Sequence, residues 1–406
     1  MGRLLWIGSY ADVETEDFLK EHIQYKKPST CLSQRNIVEG LEQIKKQKME
    51  CLGAVSLPGY PVDRKLWVAS VSKERNGVPC KLVGFFNLRY INKLTTIISL
   101  TCAARKWVRK NRCDDGVEIF VYETRSACLR AASVIKKKMP NTNIHLIIPD
   151  LPAYMDLHMS PLKRVLKWLD EQLIRKNLAN VDNFILYAEA MADELNIRHR
   201  PWIVMEGSVR VTEEAHSGHA PEKGTDAEQK CIVMYSGNLD SRFGLLNLVQ
   251  AMDYLDDRYE LWISGMGADA QAIETAAKDR SNVKYFGFLK DQTEVMRMQS
   301  QATALINMRD PKEKASKYCF PSKLFEYMLS GKPVLSCRLD GIPNEYFDYL
   351  IPMNSIQPED IAAAIREIAC KSPEEREQIG TEGKQFIRER KNNLAQAQRI
   401  IDFTLR

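Results

Sequence analysis

The sequence contains no apolar run approaching the roughly 18–20 residues that a bilayer-spanning helix needs, which excludes a helical membrane span. Its ten cysteines never fall into a Cys-x-x-Cys pair. Histidines number only six, and the closest two, His216 and His219, have no cysteine near them until Cys231. No structural zinc is expected from such spacing. No repeat of short fixed period occurs, which excludes a solenoid. The opening stretch MGRLLWIGSY is too briefly apolar for a secretory signal and reads as a first buried strand. On that reading the cysteines are reduced thiols of a cytoplasmic protein.

What is present fits a globular chain. A length of 406 residues accommodates about two domains, and 44% hydrophobic with 27% charged residues is ordinary for packed cores. The formal net charge of +5 hides an asymmetry. Residues 1–200 carry 32 Lys and Arg against 22 Asp and Glu, and residues 201–406 carry 26 against 31. A basic first half suits an anionic partner such as lipid headgroups or a lipid-linked diphosphate; a solvated surface bias explains it equally well. No nucleic-acid-binding module is recognisable, so nucleic acid is not expected as a partner.

Short apolar runs alternate with segments of helical period. In the first half LLWIGS, CLGAVSLP, KLVGFF, GVEIFVYE, NIHLIIP and NFILYA read as strands. SQRNIVEGLEQIKKQ, LTTIISLTCAARKWVRKN and SACLRAASVIKKKM between them read as helices. Nearly continuous apolar strands separated by helices predict a parallel sheet covered on both faces. Residues 160–177 predict a further helix, with Ser160 as its cap and Pro161 at its first helical position. Its apolar stripe is Leu162, Val165, Leu166, Leu169 and Leu173, and Trp168 lies among the lysines and arginines of the other side. Such a helix is either core-facing with a charged back or a membrane-surface contact. Polar EGSVRVTEEAHSGHAPEKGTDAEQK then breaks the pattern, and strand–helix alternation restarts at CIVMYSG. The expectation is α/β: two doubly wound Rossmann-like domains, residues 1–200 and 230–385, joined by a linker at 201–229. A last helix, 386–406, is expected to pack back on the first domain. Two such domains would present their strand ends to a shared cleft.

Four stretches of the second half carry chemistry. In YSGNLDSRFG a strand ends in a turn whose Gly237 and Gly244 permit close approach of an anion, while Arg242 can add positive charge. ISGMGADA places Gly265, Gly267 and Ala270 in the G-x-G-x-x-A spacing of a dinucleotide site. That fingerprint also wants an acidic residue at the end of the next strand, and none occurs before Asp291, so a nicotinamide cofactor is not expected. VKYFGFL sets Phe288 and Leu289 at a strand end, beside a nucleotide base or in the core. In FPSKLFEYMLSGKPVLS a helix starts after Pro321, with Ser322 and Lys323 at its positive end and Glu326 one turn on. A lysine and a carboxylate so placed can meet a phosphate and sugar hydroxyls together. Gly331 and Pro333 end the helix.

Taken together, PSKLFEYMLSGKPVLSCRLDGIPNEY, YSGNLDSRFG and ISGMGAD…VKYFGFL resemble the donor-site segments of GT-B glycosyltransferases, especially the broad family four of bacterial polysaccharide enzymes. The resemblance covers residues 230–350; the first half is similar mainly in its order of elements. It implies transfer of a hexose from a nucleotide-sugar, with UDP favoured, to a saccharide or lipid-linked acceptor. The nucleotide-sugar is then a co-substrate and no cofactor is needed. Donor contacts would fall on Gly237, Asn238, Arg242, Gly265, Gly267, Phe288, Leu289, Tyr318, Pro321, Ser322, Lys323, Leu324 and Glu326. Asn238 stands where the family has arginine, and Tyr318 where it has the first of two glutamates eight positions apart. Lys323 and Glu326 would act at the reacting centre. Asp150, in IIPDLPAYM, would orient the acceptor or act as base, or else it serves as a turn or capping residue. No Asp-x-Asp dyad lies at a strand end near these motifs, so no metal is expected. The basic half implies contact with the inner face of a membrane. A sugar-nucleotide epimerase and a catalytically silent binding partner share the same pattern.

Overall fold

A computed structural model describes residues 2–9, 28–75, 77–111, 116–151, 161–210 and 230–404. The chain divides into two units, Met1–Ser208 with Asn393–Arg406, and Val209–Asn392.

The strands of the first unit are Arg3–Gly8 (β1), Glu50–Gly53 (β2), Trp67–Val68 (β3), Val71–Arg75 (β4), Val78–Leu82 (β5), Phe85–Phe86 (β6), Val117–Tyr122 (β7), Thr142–Ile148 (β8), Asn183–Leu186 (β9) and Trp202–Val204 (β10). Eight of them form one sheet in the order β10-β9-β8-β7-β1-β2-β5-β4. Leu4 to Ile7 of the central strand are buried, as a parallel strand covered on both faces requires. All its pairings are parallel except the last, where β4 runs antiparallel to β5. Only two residues connect that pair, far fewer than a parallel crossover needs, and Gly77 there has φ +82°. Charges on VSKER suit this outermost position. β3 and β6 form a separate antiparallel ladder with Trp67 opposite Phe86.

Helix Asn92–Lys110 packs on Ser126–Lys138, which packs on Pro161–Leu178. Helix Pro28–Lys45 instead packs against the final helix Asn393–Thr404. Their backbones approach closely at Gly40, where a Cβ would stand 2.3 Å from the Asn393 carbonyl oxygen. Gln396 and Arg399 of the final helix donate to the carbonyls of Gly207 and Val204 (2.8 and 2.9 Å). Three boundaries or faces differ from the sequence reading. Trp202–Val204 completes the first sheet, so the residues read as the start of a linker are strand. The break before the final helix falls after Asn392 rather than at 386, because Phe386 and Ile387 are buried within the second unit. In helix Pro161–Leu178, Ile174 and Leu178 face inward, whereas Val165 and Leu169 of the expected inward stripe are exposed beside Trp168. Ser160 and most of the polar stretch at 211–229 lie outside the described residues.

The second unit is one parallel sheet of Cys231–Asn238 (β11), Tyr259–Met266 (β12), Val283–Tyr285 (β13), Ala304–Asn307 (β14), Val334–Cys337 (β15) and Ile351–Met353 (β16). Its order is β13-β12-β11-β14-β15-β16. From β11 the chain winds outward through β12 to β13, then returns to β14 and winds the other way. The strand order therefore switches between β11 and β14, and ligands of open α/β sheets bind beyond the carboxyl ends at such a switch. Among the described residues no helix is long and apolar enough to cross a membrane.

Gly40→Val is expected to lower stability by about 1–3 kcal/mol through overpacking. The urea midpoint measures this; an unchanged midpoint would contradict the docking of the final helix on Pro28–Lys45.

Candidate functional site

The two central strand ends close on one another through glycines. Gly237 of β11 pairs in register with Gly265 of β12. Gly265 has φ +150°, and a Cβ there would stand 1.8 Å from the Gly237 carbonyl oxygen. A Cβ on Gly267 would meet the Leu239 carbonyl oxygen at 2.2 Å. The loop after β13 returns to this edge, where the Gly265 N–H donates to the Gly287 carbonyl at 2.8 Å.

Helix Lys323–Leu329 lies beside this turn. Leu324, Phe325, Tyr327 and Met328 are buried and fix its inner face. Gly331, at φ +75°, takes the left-handed turn that ends it, and Pro333 leads into β15. The outer face holds Lys323 and Glu326. The lysine stem crosses Gly237 so closely that a Cβ on the glycine would stand 2.8 Å from Lys323 Cε and 3.2 Å from Cδ. Lys323 Nζ and Glu326 Oε2 are 3.7 Å apart, with side chains 38% and 34% exposed. Their charged ends are therefore both open to a ligand.

Buried polar groups behind them fix that arrangement. Gln299 Nε2 donates to Glu326 Oε1 at 2.8 Å and to Ser236 Oγ at 3.1 Å. The Tyr327 hydroxyl donates to the Ser236 carbonyl (2.8 Å) and accepts from the Ser236 N–H (2.9 Å). Burial pushes the Tyr327 phenol far above its usual range, which keeps the donating proton in place. These bonds tie the helix to the β11 turn.

The other expected site residues are distributed as follows. Ser322 is exposed just before the helix, and its side chain makes no capping bond. Pro321 and Tyr318 are buried. Leu324 is wholly in the core and its N–H donates to the Pro321 carbonyl at 2.9 Å, so neither its side chain nor its amide is presented to a ligand. Asn238 is exposed, and its carbonyl accepts from the Tyr235 hydroxyl at 2.8 Å. Arg242 comes already paired: its Nε and Nη2 donate to the two Asp240 oxygens at 2.9 and 2.8 Å. That fork holds the Asp240 carboxyl below its usual range and neutralises charge that the sequence reading assigned to a phosphate. Phe288 is exposed on the loop beyond β13, with Leu289 half-buried next to it. Asp150 is half-buried in the first unit, past the carboxyl end of β8, and its charge is felt by Tyr187. Burial raises Tyr187 to about 12. The rest of the Asp150 loop, from 152, lies outside the described residues.

Three residues of the site were missed in the sequence. Arg309 lies just past the carboxyl end of β14, on the far side of the switch point, with its guanidinium 5.0 Å from the Phe243 ring centroid. Its charge reaches both Tyr235 and Asp240. An arginine two residues past a strand, in INMRD, was the available signal. Gln299 and Tyr327 sit in ordinary helical patterns and gave none. Among the described residues no group of three His, Cys, Asp or Glu side chains is placed to hold a metal ion. The arrangement offers lysine, arginine and a glycine turn to a polyanion, with a carboxylate beside them for hydroxyl groups.

Residues 230–371 match the family model described as Glycosyl transferases group 1. No curated protein matches the sequence. Among solved structures, an α,α-trehalose 6-phosphate synthase from Burkholderia multivorans is 12% identical, with a TM-score of 0.64 over 99% of this chain and 96% of that one. A UDP-forming α,α-trehalose-phosphate synthase from Burkholderia xenovorans, in complex with glucose-6-phosphate, is 11% identical, with a TM-score of 0.65 and full coverage of both chains. A trehalose-6-phosphate protein from E. coli, bound with UDP-2-fluoro glucose, is 11% identical, with a TM-score of 0.65 over 98% of each. The likeness in structure gives the chain the GT-B fold, and residues 230–371 of its second unit are similar to the group 1 glycosyl transferases.

Proposed function

We propose that the chain transfers a hexose from a nucleoside-diphosphate donor, with a UDP-sugar favoured, to a saccharide or lipid-linked acceptor in the assembly of a bacterial polysaccharide or glycan. The reading places it in the cytoplasm, at the inner face of the membrane. The observation that carries it is Lys323 laid across Gly237 with Glu326 alongside. UDP is favoured because one protein of similar fold is bound with UDP-2-fluoro glucose, and a sugar acceptor because another holds glucose-6-phosphate.

The chemical difficulty in glycosyl transfer is charge. The anomeric carbon becomes cationic while the diphosphate leaves as an anion. Preorganised positive groups aimed at that anion supply most of the rate. Lys323 takes this role, with Arg309 at the neighbouring strand end and the Gly237 turn letting the phosphates approach the backbone. Two protein cations serve the purpose that a divalent metal serves elsewhere, so the proposed reaction is metal-independent. Glu326 Oε2 accepts hydrogen bonds from ribose or sugar hydroxyls, because Gln299 holds Oε1. Gly265 and Gly267 form a wall of the pocket, and Phe288 and Leu289 lie toward the base. Asp150 orients the acceptor hydroxyl or takes its proton.

Lys323→Ala is expected to cut turnover of a UDP-hexose about 100-fold with an unchanged circular dichroism spectrum. Unchanged turnover would remove Lys323 from the site. Gln299→Ala is expected to raise the donor KM about tenfold by freeing Glu326, in line with the loss of one hydrogen bond to a charged group; a wild-type KM would show that Glu326 needs no such anchor. EDTA is expected to leave activity intact. Strong inhibition reversed by Mg²⁺ or Mn²⁺ would overturn the metal-free mechanism.

A further inference from the structure

The first unit exposes large apolar side chains that its own fold does not use. Leu94 and Ile98, one helical turn apart on Asn92–Lys110, are 57% and 53% exposed. Trp168 on Pro161–Leu178 is 57% exposed, with Val165 and Leu169 open beside it. On the β3–β6 ladder, Trp67 and Phe86 are directly opposed and both exposed.

Two contacts join these three groups into one region. Lys93 Nζ meets Asp170 Oδ2 at 2.8 Å, which brings the turn holding Leu94 next to the turn holding Leu169. The Thr95 hydroxyl donates to the Phe86 carbonyl at 2.7 Å, which fixes the ladder against the same helix. An apolar region assembled from three separate elements is not a stray exposed residue.

Its charge selects the occupant. From Arg75 to Arg112 the chain has nine lysines and arginines and no carboxylate. Arg64 and Lys65 lie three and two residues before Trp67, Arg89 three after Phe86 and Arg164 four before Trp168, and all four are exposed. Two copies of this chain brought together here would oppose like charges. An anionic bilayer would instead take up the apolar groups at its interface and pair its headgroups with the cationic rim.

We propose that this face, formed by Leu94, Ile98, Trp67, Phe86 and Trp168 with its basic rim, docks the chain on an anionic lipid bilayer. The proposal deepens the suggested use of a lipid-linked acceptor and rests on that reading only for its purpose. Binding to vesicles needs neither donor nor turnover, so its failure is distinguishable from failure of the transferase reading.

The test is co-sedimentation of the full chain with phosphatidylcholine vesicles, with and without about one-third phosphatidylglycerol, at physiological salt. The expected result is at least about tenfold stronger partitioning onto the anionic vesicles, weakening as salt is raised. Leu94→Ser, Ile98→Ser and Trp168→Ser combined should lose it while the UDP-induced rise in melting temperature stays. Should that triple variant fail to fold, Arg89→Gln with Arg164→Gln should weaken anionic binding alone. Equal binding to both vesicle types, no binding by the wild type, or full binding by the folded variants overturns the proposal. So does light scattering that finds a stable dimer which the triple variant dissociates.

Discussion

The second unit depends on one close contact, the Lys323 stem lying across a glycine that has no side chain to keep it away. A methyl group at Gly237 would occupy space that the lysine carbons now fill. The same turn is pressed from its other side, because Gly265 is also stripped of a Cβ to let the two strand ends meet. Close approach of backbone and charge is thus obtained by removing atoms rather than by adding them. It follows that the cation is held where the strand order reverses, the place where open α/β sheets leave room for a ligand.

Buried hydrogen bonds keep that contact rigid. Ser236 is gripped at its backbone by Tyr327 and at its hydroxyl by Gln299. Gln299 reaches on to Glu326, so the turn, the helix and the carboxylate are tied into one network. Such a network is stabilising only when each member is satisfied, and losing one member strands the others in a low-dielectric interior. Arg242 shows the opposite arrangement. Its fork with Asp240 is complete in itself, and the charge beside the turn comes instead from Arg309, stacked near Phe243.

Much of the architecture could be read from the sequence because buried parallel strands are written as short apolar runs. LLWIG, VEIFVY and IVMYSG each became a central strand. The antiparallel edge at VSKER was not read, since four of its five residues are polar or charged and leave no apolar run to mark a strand. Of the two alternatives for the helix at Pro161–Leu178, the core-facing one fails at Val165 and Leu169, because a periodic apolar stripe says that residues share a side and not that the side is covered. That Lys323 and Glu326 stand together on the open face of their helix was legible from helix punctuation. Leu324 was placed with them by the resemblance, although the helical turn sends it into the core. Gln299 was illegible in principle: its importance lies in what it touches from 27 residues away.

The two units contribute different chemistry to the proposed reaction. Under the proposal, Lys323, Arg309 and the Gly237 turn of the second unit hold the leaving diphosphate, and Asp150 of the first is assigned to the acceptor. The most direct test of the central claim is a crystal structure of the chain with UDP bound. The account predicts diphosphate density over Gly237 within hydrogen-bonding reach of Lys323 Nζ, with a ribose or sugar hydroxyl on Glu326. Density for the nucleotide away from this turn, or a Lys323 side chain folded into the protein interior, would contradict it.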